Sequence, residues 1–145
     1  MRLYFDTAYL AKCYLNEPDG ATVRKLAAKA TGLFSSALCI AELACAFLRN
    51  IRAGTLTAGE AERWRAAFLD DVRSGVWFLL PVSEHLLYRV ESLSRDLPPK
   101  AYLRAGDAIH LASAQEAGFT EIWSNDRHLL AAARYFGLEG KSIAV

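Results

Sequence analysis

The chain has 145 residues, 53% of them hydrophobic, enough apolar material for one domain, 1–145, with a full core. Seventeen basic against sixteen acidic residues leave a formal net charge of +1, which excludes recruitment of a polyanion by a global field, so nucleic acid has to be held by a local patch. The three cysteines, Cys13, Cys39 and Cys45, contain no Cys-x-x-Cys pair and fall in apolar, helix-like surroundings, the pattern of reduced core thiols in a cytosolic protein.

The N-terminus opens directly on Arg2-Leu3-Tyr4-Phe5-Asp6, without the apolar region and cleavage site of a signal peptide, and no apolar run approaches the roughly 18 residues that span a bilayer. A cytoplasmic domain with no membrane association is expected. Leu3 to Phe5 has strand length and ends in Asp6. Helical patterns follow over Thr7 to Leu15 and Ala21 to Ala30. A second strand is predicted at Leu33 to Ser35, then helices over Ala37 to Ala53, with Glu42 about two turns in, and Ala58 to Arg73, where Thr57 and Glu60 read as a capping box. Trp77 to Leu80 is the third strand, and Glu84 to Arg95 the next helix. Leu97-Pro98-Pro99-Lys100 is a stiff connection, after which the helical pattern resumes over Arg104 to Ala117 with Asp107 near its start. Glu121 to Ser124 is the fourth strand, followed by Asp126 and a helix over Arg127 to Tyr135; Ser142 to Val145 is a candidate fifth. Gly54, Gly75, Gly118 and Gly137 stand where helices stop. Short apolar runs alternating with helices predict an α/β fold, a three-layer α/β/α sandwich around a parallel sheet of four to five strands.

Asp6, Glu42, Asp107 and Asp126 each lie beside or inside an apolar stretch, where a carboxylate is unfavourable unless paired, protonated or bound to a metal. In open parallel sheets ligands bind beyond the carboxyl ends of the strands. Asp6 and Asp126 fall there by sequence, and all four acids can face one rim. Carboxylates without thiolates or clustered imidazoles suit Mg²⁺ or Mn²⁺ rather than zinc. One or two such ions can activate water and stabilise the leaving oxygen of a phosphodiester. Metal-assisted hydrolysis of nucleic acid is the chemistry expected.

The segments Leu3-Tyr4-Phe5-Asp6-Thr7-Ala8, Ser36-Ala37-Leu38-Cys39-Ile40-Ala41-Glu42-Leu43-Ala44, Arg104-Ala105-Gly106-Asp107-Ala108-Ile109-His110-Leu111 and Trp123-Ser124-Asn125-Asp126-Arg127-His128-Leu129 carry a resemblance. In order and spacing they resemble PIN-domain ribonucleases of the VapC toxin type, over nearly the whole chain. The resemblance implies Mg²⁺ or Mn²⁺ dependence, endonucleolytic cleavage of RNA, and neutralisation by a small antitoxin encoded alongside. It implies that Asp6, Glu42, Asp107 and Asp126 surround the metal, with Thr7 and Ser124 as supporting hydroxyls, and that the protein pairs into a homodimer. On this reading Asp6 and Asp107 hold the principal ion, while Glu42 and Asp126 complete the site and orient the attacking water.

Each acid also has a plainer reading. Asp6, Asp107 and Asp126 can cap helices, and Glu42 can be a solvated acid or a partner of Arg49. His110 reads as a hydrogen-bonded core residue, His85 as a surface residue at a helix start, and neither His110 nor His128 belongs to the expected metal set. Lys12, Arg49, Arg52, Arg104 and Arg127 are the basic residues nearest the acids, each most simply a solvated helix position. Trp64, Trp77 and Trp123 read as core or dimer packing rather than base-stacking platforms. A different functional class with the same fold is a non-catalytic binding module whose acidic pocket captures a basic side chain of a partner. An aspartyl-phosphate enzyme built on Asp6 is disfavoured, because Ala8 leaves no second acid two residues on.

Overall fold

The computed structural model describes residues 1–143. Among the described residues five short strands run in parallel: β1 (Arg2–Tyr4), β2 (Gly32–Ser36), β3 (Trp77–Leu80), β4 (Glu121–Trp123) and β5 (Glu139–Lys141). The first three pair in the order β1-β2-β3 and the last two with each other. Leu3 lies opposite Leu33, and Leu33 opposite Trp77. A single parallel bridge between Phe5 and Trp123 joins the two groups, reinforced by the Asp6 amide donating to the Trp123 carbonyl at 3.1 Å. The sheet order is therefore β3-β2-β1-β4-β5. The chain steps outward from β1 to β3, then returns to the other side of β1 as β4. Such a reversal opens a crevice at the carboxyl ends of the two strands it separates.

Helices cover both faces. On one side lie α1 (Thr7–Ala11), α2 (Gly20–Ala28), α3 (Cys39–Arg52) and α4 (Ala58–Arg73). Their buried side chains Tyr9, Leu10, Val23, Leu43, Phe47 and Phe68 meet Leu3 and Phe5 of the first strand segment. On the other side α5 (Glu84–Arg95), α6 (Ala105–Glu116) and α7 (Arg127–Ala132) pack Leu86, Leu111, Leu129 and Ala132 against Tyr4 and Ile122. The alternation Leu3, Tyr4, Phe5 thus splits one strand between two cores, as side chains pointing alternately to opposite faces require. The α/β/α sandwich stands as expected from the sequence.

Local signals explain the element ends. The Thr57 hydroxyl accepts from the Glu60 amide at 3.1 Å while the Thr57 amide donates to the Glu60 carboxylate at 3.0 Å, the predicted capping box. Gly54, Gly75, Gly118 and Gly137 all have positive φ. At Gly137, φ is 69° directly after a 3-10 turn over Ala133–Phe136, a left-handed position that glycine adopts without a Cβ penalty. The helix predicted to continue to Tyr135 tightens into that turn.

Three expectations are corrected. The fifth strand is Glu139–Lys141 rather than Ser142 to Val145. Ser142 and Ile143 follow it without strand pairing, and Ala144 and Val145 lie outside the described residues. Gly140 fits the strand because its backbone lies against Leu130, where an added Cβ would sit 2.9 Å from the Leu130 carbonyl. Of the three thiols only Cys39 is buried; Cys13 is partly covered and Cys45 is exposed. Burial pushes the Cys39 thiol up to about 12 and that of Cys13 up to about 11, so both are poor nucleophiles. Trp77 is buried as expected, whereas Trp64 is exposed, which removes the core and leaves dimer packing of the two places expected for it. Among the described residues no helix is long and apolar enough to cross a membrane.

Candidate active site

The four acids converge. Asp6, Thr7, Glu42, Asp107 and Asp126 line one cavity of about 790 Å³, together with Arg104, His110 and Asn125. It lies beside the ends of β1 and β4, where the strand order reverses.

Asp6 follows β1 and caps α1, its Oδ1 accepting from the Tyr9 amide at 2.8 Å. Its Oδ2 accepts from the Ser124 hydroxyl at 2.5 Å. Ser124, fully buried at the end of β4, accepts in turn from the Asp126 amide at 2.9 Å. Asp126 caps α7 through Oδ1, which accepts from the His128 and Leu129 amides. One serine therefore ties the Asp6 carboxylate to the backbone of Asp126, and the capping readings of Asp6 and Asp126 hold alongside their place in the cavity. Burial pushes the Asp6 carboxyl above its usual range, against the His110 ring, the Ser124 hydroxyl and the Tyr9 amide, which favour the anion. For Asp126 burial acts the same way, but the helix amides and Arg104 outweigh it and hold the carboxyl below that range.

Glu42 stands in the first turn of α3, earlier than predicted, because the helix begins at Cys39 rather than Ala37. Its partner is not Arg49. Oε1 accepts from the Thr7 hydroxyl at 2.6 Å and pairs with His110 Nε2 at 2.8 Å. A carboxylate only accepts, so Nε2 bears hydrogen; in the neutral ring Nδ1 then accepts from the Tyr4 hydroxyl, 2.9 Å away. Burial opposes the Glu42 charge, yet the bonds from His110 and Thr7 prevail and hold its carboxyl below the usual range. The other oxygen, Oε2, faces Gly106, where an added Cβ would come within 3.1 Å. The missing side chain at Gly106 lets α6 bring Asp107 close to α3.

Asp107 does not cap α6. It lies in the first turn, and its Oδ2 accepts from Arg104 Nε at 3.0 Å. Arg104 Nη2 donates to Asp126 Oδ2. A single guanidinium edge thus spans two of the four acids. Sequence reasoning treated Arg104 as a solvated helix position and His110 as a core residue apart from the acids. His110 is indeed buried, at 2% exposure, but its ring reaches Glu42 from 68 positions away. The nearest sequence signal was the spacing of Gly106, Asp107 and His110, which puts all three on neighbouring turns of one helix.

The other cavity cations are occupied differently. Lys12 is buried and bonds Glu17 at 2.6 Å and Asp19 at 2.8 Å. Asp19 also accepts from Asn125 at 2.8 Å. The Lys12 bond holds the Asp19 carboxyl below its usual range. Arg49 lines the cavity, leaving Arg49 and Arg104 as its arginines.

The oxygen-only donor set suits a hard divalent cation by chemistry. Among the described residues no three acidic, histidine or cysteine side chains converge closely enough to hold an ion as they stand. Asp6 is engaged through both oxygens, and Asp107 and Asp126 are bridged by Arg104.

The sequence matches the PIN domain family over residues 3–135. No curated protein matches it. Its fold is similar to that of Mycobacterium tuberculosis VapC20, described as a sarcin-ricin loop cleaving toxin, with a TM-score of 0.67 and 20% identity over 90% of this chain and 94% of the other. It is also similar to VapBC2 from Rickettsia felis, solved bound to a DNA fragment from the promoter, with a TM-score of 0.67 and 14% identity over 99% of this chain and 100% of the other.

Proposed function

We propose, from the premise that this chain belongs to the PIN domain family, that it is a Mg²⁺- or Mn²⁺-dependent endoribonuclease and the toxin of a toxin-antitoxin pair. The observation that carries this reading is the meeting of Asp6, Glu42, Asp107 and Asp126 in one cavity, from segments spread over 120 positions of sequence. A similar fold belongs to a toxin that cleaves the sarcin-ricin loop, which supports RNA as the substrate.

Asp6 and Asp107 would hold the principal ion, with Glu42 and Asp126 completing the site. A divalent cation bound there supplies Lewis acidity toward the phosphodiester and makes a water acidic enough to attack it. The chain's own residues do the positioning. Ser124 ties Asp6 to the Asp126 backbone, Thr7 and His110 fix the Glu42 carboxylate, and Glu42 and Asp126 orient the attacking water. Bonds already made in the folded protein need no reorganisation during reaction, the condition under which electrostatic groups act best. The protein works as one domain in the cytoplasm. Exposed apolar side chains on α3 and α5, among them Leu48, Leu87 and Tyr88, offer surfaces for a second copy and for the antitoxin.

The purified protein is incubated with structured RNA, with and without Mn²⁺, beside the Asp6→Asn variant. Cleavage only by the unmodified protein with Mn²⁺ is expected; equal cleavage in all three conditions rejects the proposal. One observation favours a second reading, a non-catalytic module that captures a basic side chain: the pocket already seats the Arg104 guanidinium on two acids. Tight partner binding with no cleavage of any RNA under Mn²⁺ would select it.

A further inference from the structure

We propose that Arg104 is a tethered cation with two positions: in the metal-free protein it neutralises Asp107 and Asp126, and when a divalent ion enters it leaves Asp126 and grips a phosphate of the RNA substrate. The inference rests on the metal-dependent nuclease reading and concerns one residue that this reading does not use.

The atoms of Asp126 make the two positions exclusive. Oδ1 is committed to the amides of His128 and Leu129 at the start of α7, leaving Oδ2 as the oxygen free for an ion. Arg104 Nη2 donates to that same Oδ2. Asp107 repeats the conflict more weakly, since Arg104 Nε is bonded to its Oδ2 at 3.0 Å. A cation brought against Oδ2 stands where a like-charged guanidinium already is, and two cations sharing a site repel. The contact is also poised to open. Arg104 precedes α6, its side chain is 52% exposed while that of Asp107 is 17% exposed, and among the described residues no third acid holds it.

The displaced group has a defined use. Arg104 lines the cavity of the four acids, so it remains at the mouth after leaving Asp126. A substrate phosphate drawn to the ion then meets the freed Nη1 and Nη2 groups, and a guanidinium binds phosphate oxygens in pairs. Its charge also offsets the repulsion between polyanionic RNA and an acid-lined pocket. Lys12 differs, because its side chain is only 10% exposed and its partners, Glu17 and Asp19, lie outside the four acids, so an ion bound there does not compete for them.

Three measurements test the proposal. In the first, the Arg104 side-chain Nη2–H group that donates to Asp126 is followed by ¹⁵N NMR in chelator-treated protein while Mg²⁺ is added, with its signal assigned by its loss in Arg104→Gln. A signal protected from solvent exchange without metal and unprotected at saturation is expected. In the second, Mn²⁺ titrated calorimetrically into both proteins should bind Arg104→Gln more tightly, on the order of tenfold. In the third, cleavage kinetics at saturating Mn²⁺ should show KM for RNA raised on the order of tenfold in Arg104→Gln, kcat changed less, and Arg104→Lys intermediate. An Nη2–H that stays protected at saturating Mg²⁺, equal Mn²⁺ affinity in the two proteins, or an unchanged KM each overturns it. Absence of divalent-ion binding to either protein sinks the metal-dependent reading itself, whereas binding with Arg104 unmoved sinks only this inference.

Discussion

Gly106 matters because of a side chain it lacks. Its Cβ position lies 3.1 Å from Glu42 Oε2, so Gly106→Ala should push that carboxylate off its bonds to Thr7 and His110 by a few tenths of an ångström. Helix propensity favours alanine by up to ~1 kcal/mol, so urea unfolding should show stability within about 1 kcal/mol of the parent. On the proposed nuclease reading, RNA cleavage should nevertheless fall on the order of tenfold, since small misplacements at a catalytic group are costly. Loss of stability and activity together would instead mean that the α3–α6 contact fails as a whole. Asp19 supplies a pH test. Lys12 holds its carboxyl below the usual range, so the folded state binds this proton less readily than the unfolded chain. The stabilisation is complete above the unfolded pKa of about 3.9 and disappears as pH falls through the lower folded value. Asp19→Asn should therefore cost about 1–2 kcal/mol at pH 7, with the difference closing below roughly pH 3; a constant difference across pH would assign the loss to packing. At this scale the acids were legible because a carboxylate among apolar neighbours is conspicuous. The roles of Arg104 and His110 were not, because each depends on partners that only folding brings near, Asp126 in one case and Glu42 in the other.

Among the elements, strands with apolar runs and helices with caps or terminal glycines were readable in the sequence. Trp77–Leu80 and Glu84–Arg95 fall where predicted, the latter capped by Ser83, whose hydroxyl accepts from the Leu86 amide at 3.1 Å. β5 was not readable. Its residues, Glu139, Gly140 and Lys141, lack the alternation that marks a strand, and they pair because Gly140 lets the chain lie flat on α7. Gly140→Ala would place a Cβ 2.9 Å from the Leu130 carbonyl and 3.0 Å from its Cα. Backbone cannot yield as a flexible side chain does, so a loss of about 1–3 kcal/mol is expected from overpacking. The urea midpoint should drop without a change in slope. An unaltered midpoint would show that the β5–α7 contact is looser than these distances require.

For the molecule as a whole, a ligand that binds only the folded state raises its stability. Mn²⁺ at a hundred times its Kd should add about 2.7 kcal/mol, or roughly 5–10 °C in Tm for a chain of this size, and Asp6→Asn should abolish most of the gain. An unchanged Tm at millimolar Mn²⁺ would argue against a site assembled by the fold. The sandwich and the convergence of the acids were foreseeable from alternating strands and helices. The strand order was not, since nothing in a single sequence says on which side of β1 the fourth strand will return.

That return leaves the sheet joined across its middle by one bridge, Phe5 to Trp123, with Asp6 and Ser124 immediately beyond. The narrowest join in the sheet, among the described residues, is thus also the place where the four acids meet. Any fluctuation that parts the two halves of the sheet also dismantles the centre, and an ion lodged among those groups would act as a rivet holding the halves shut.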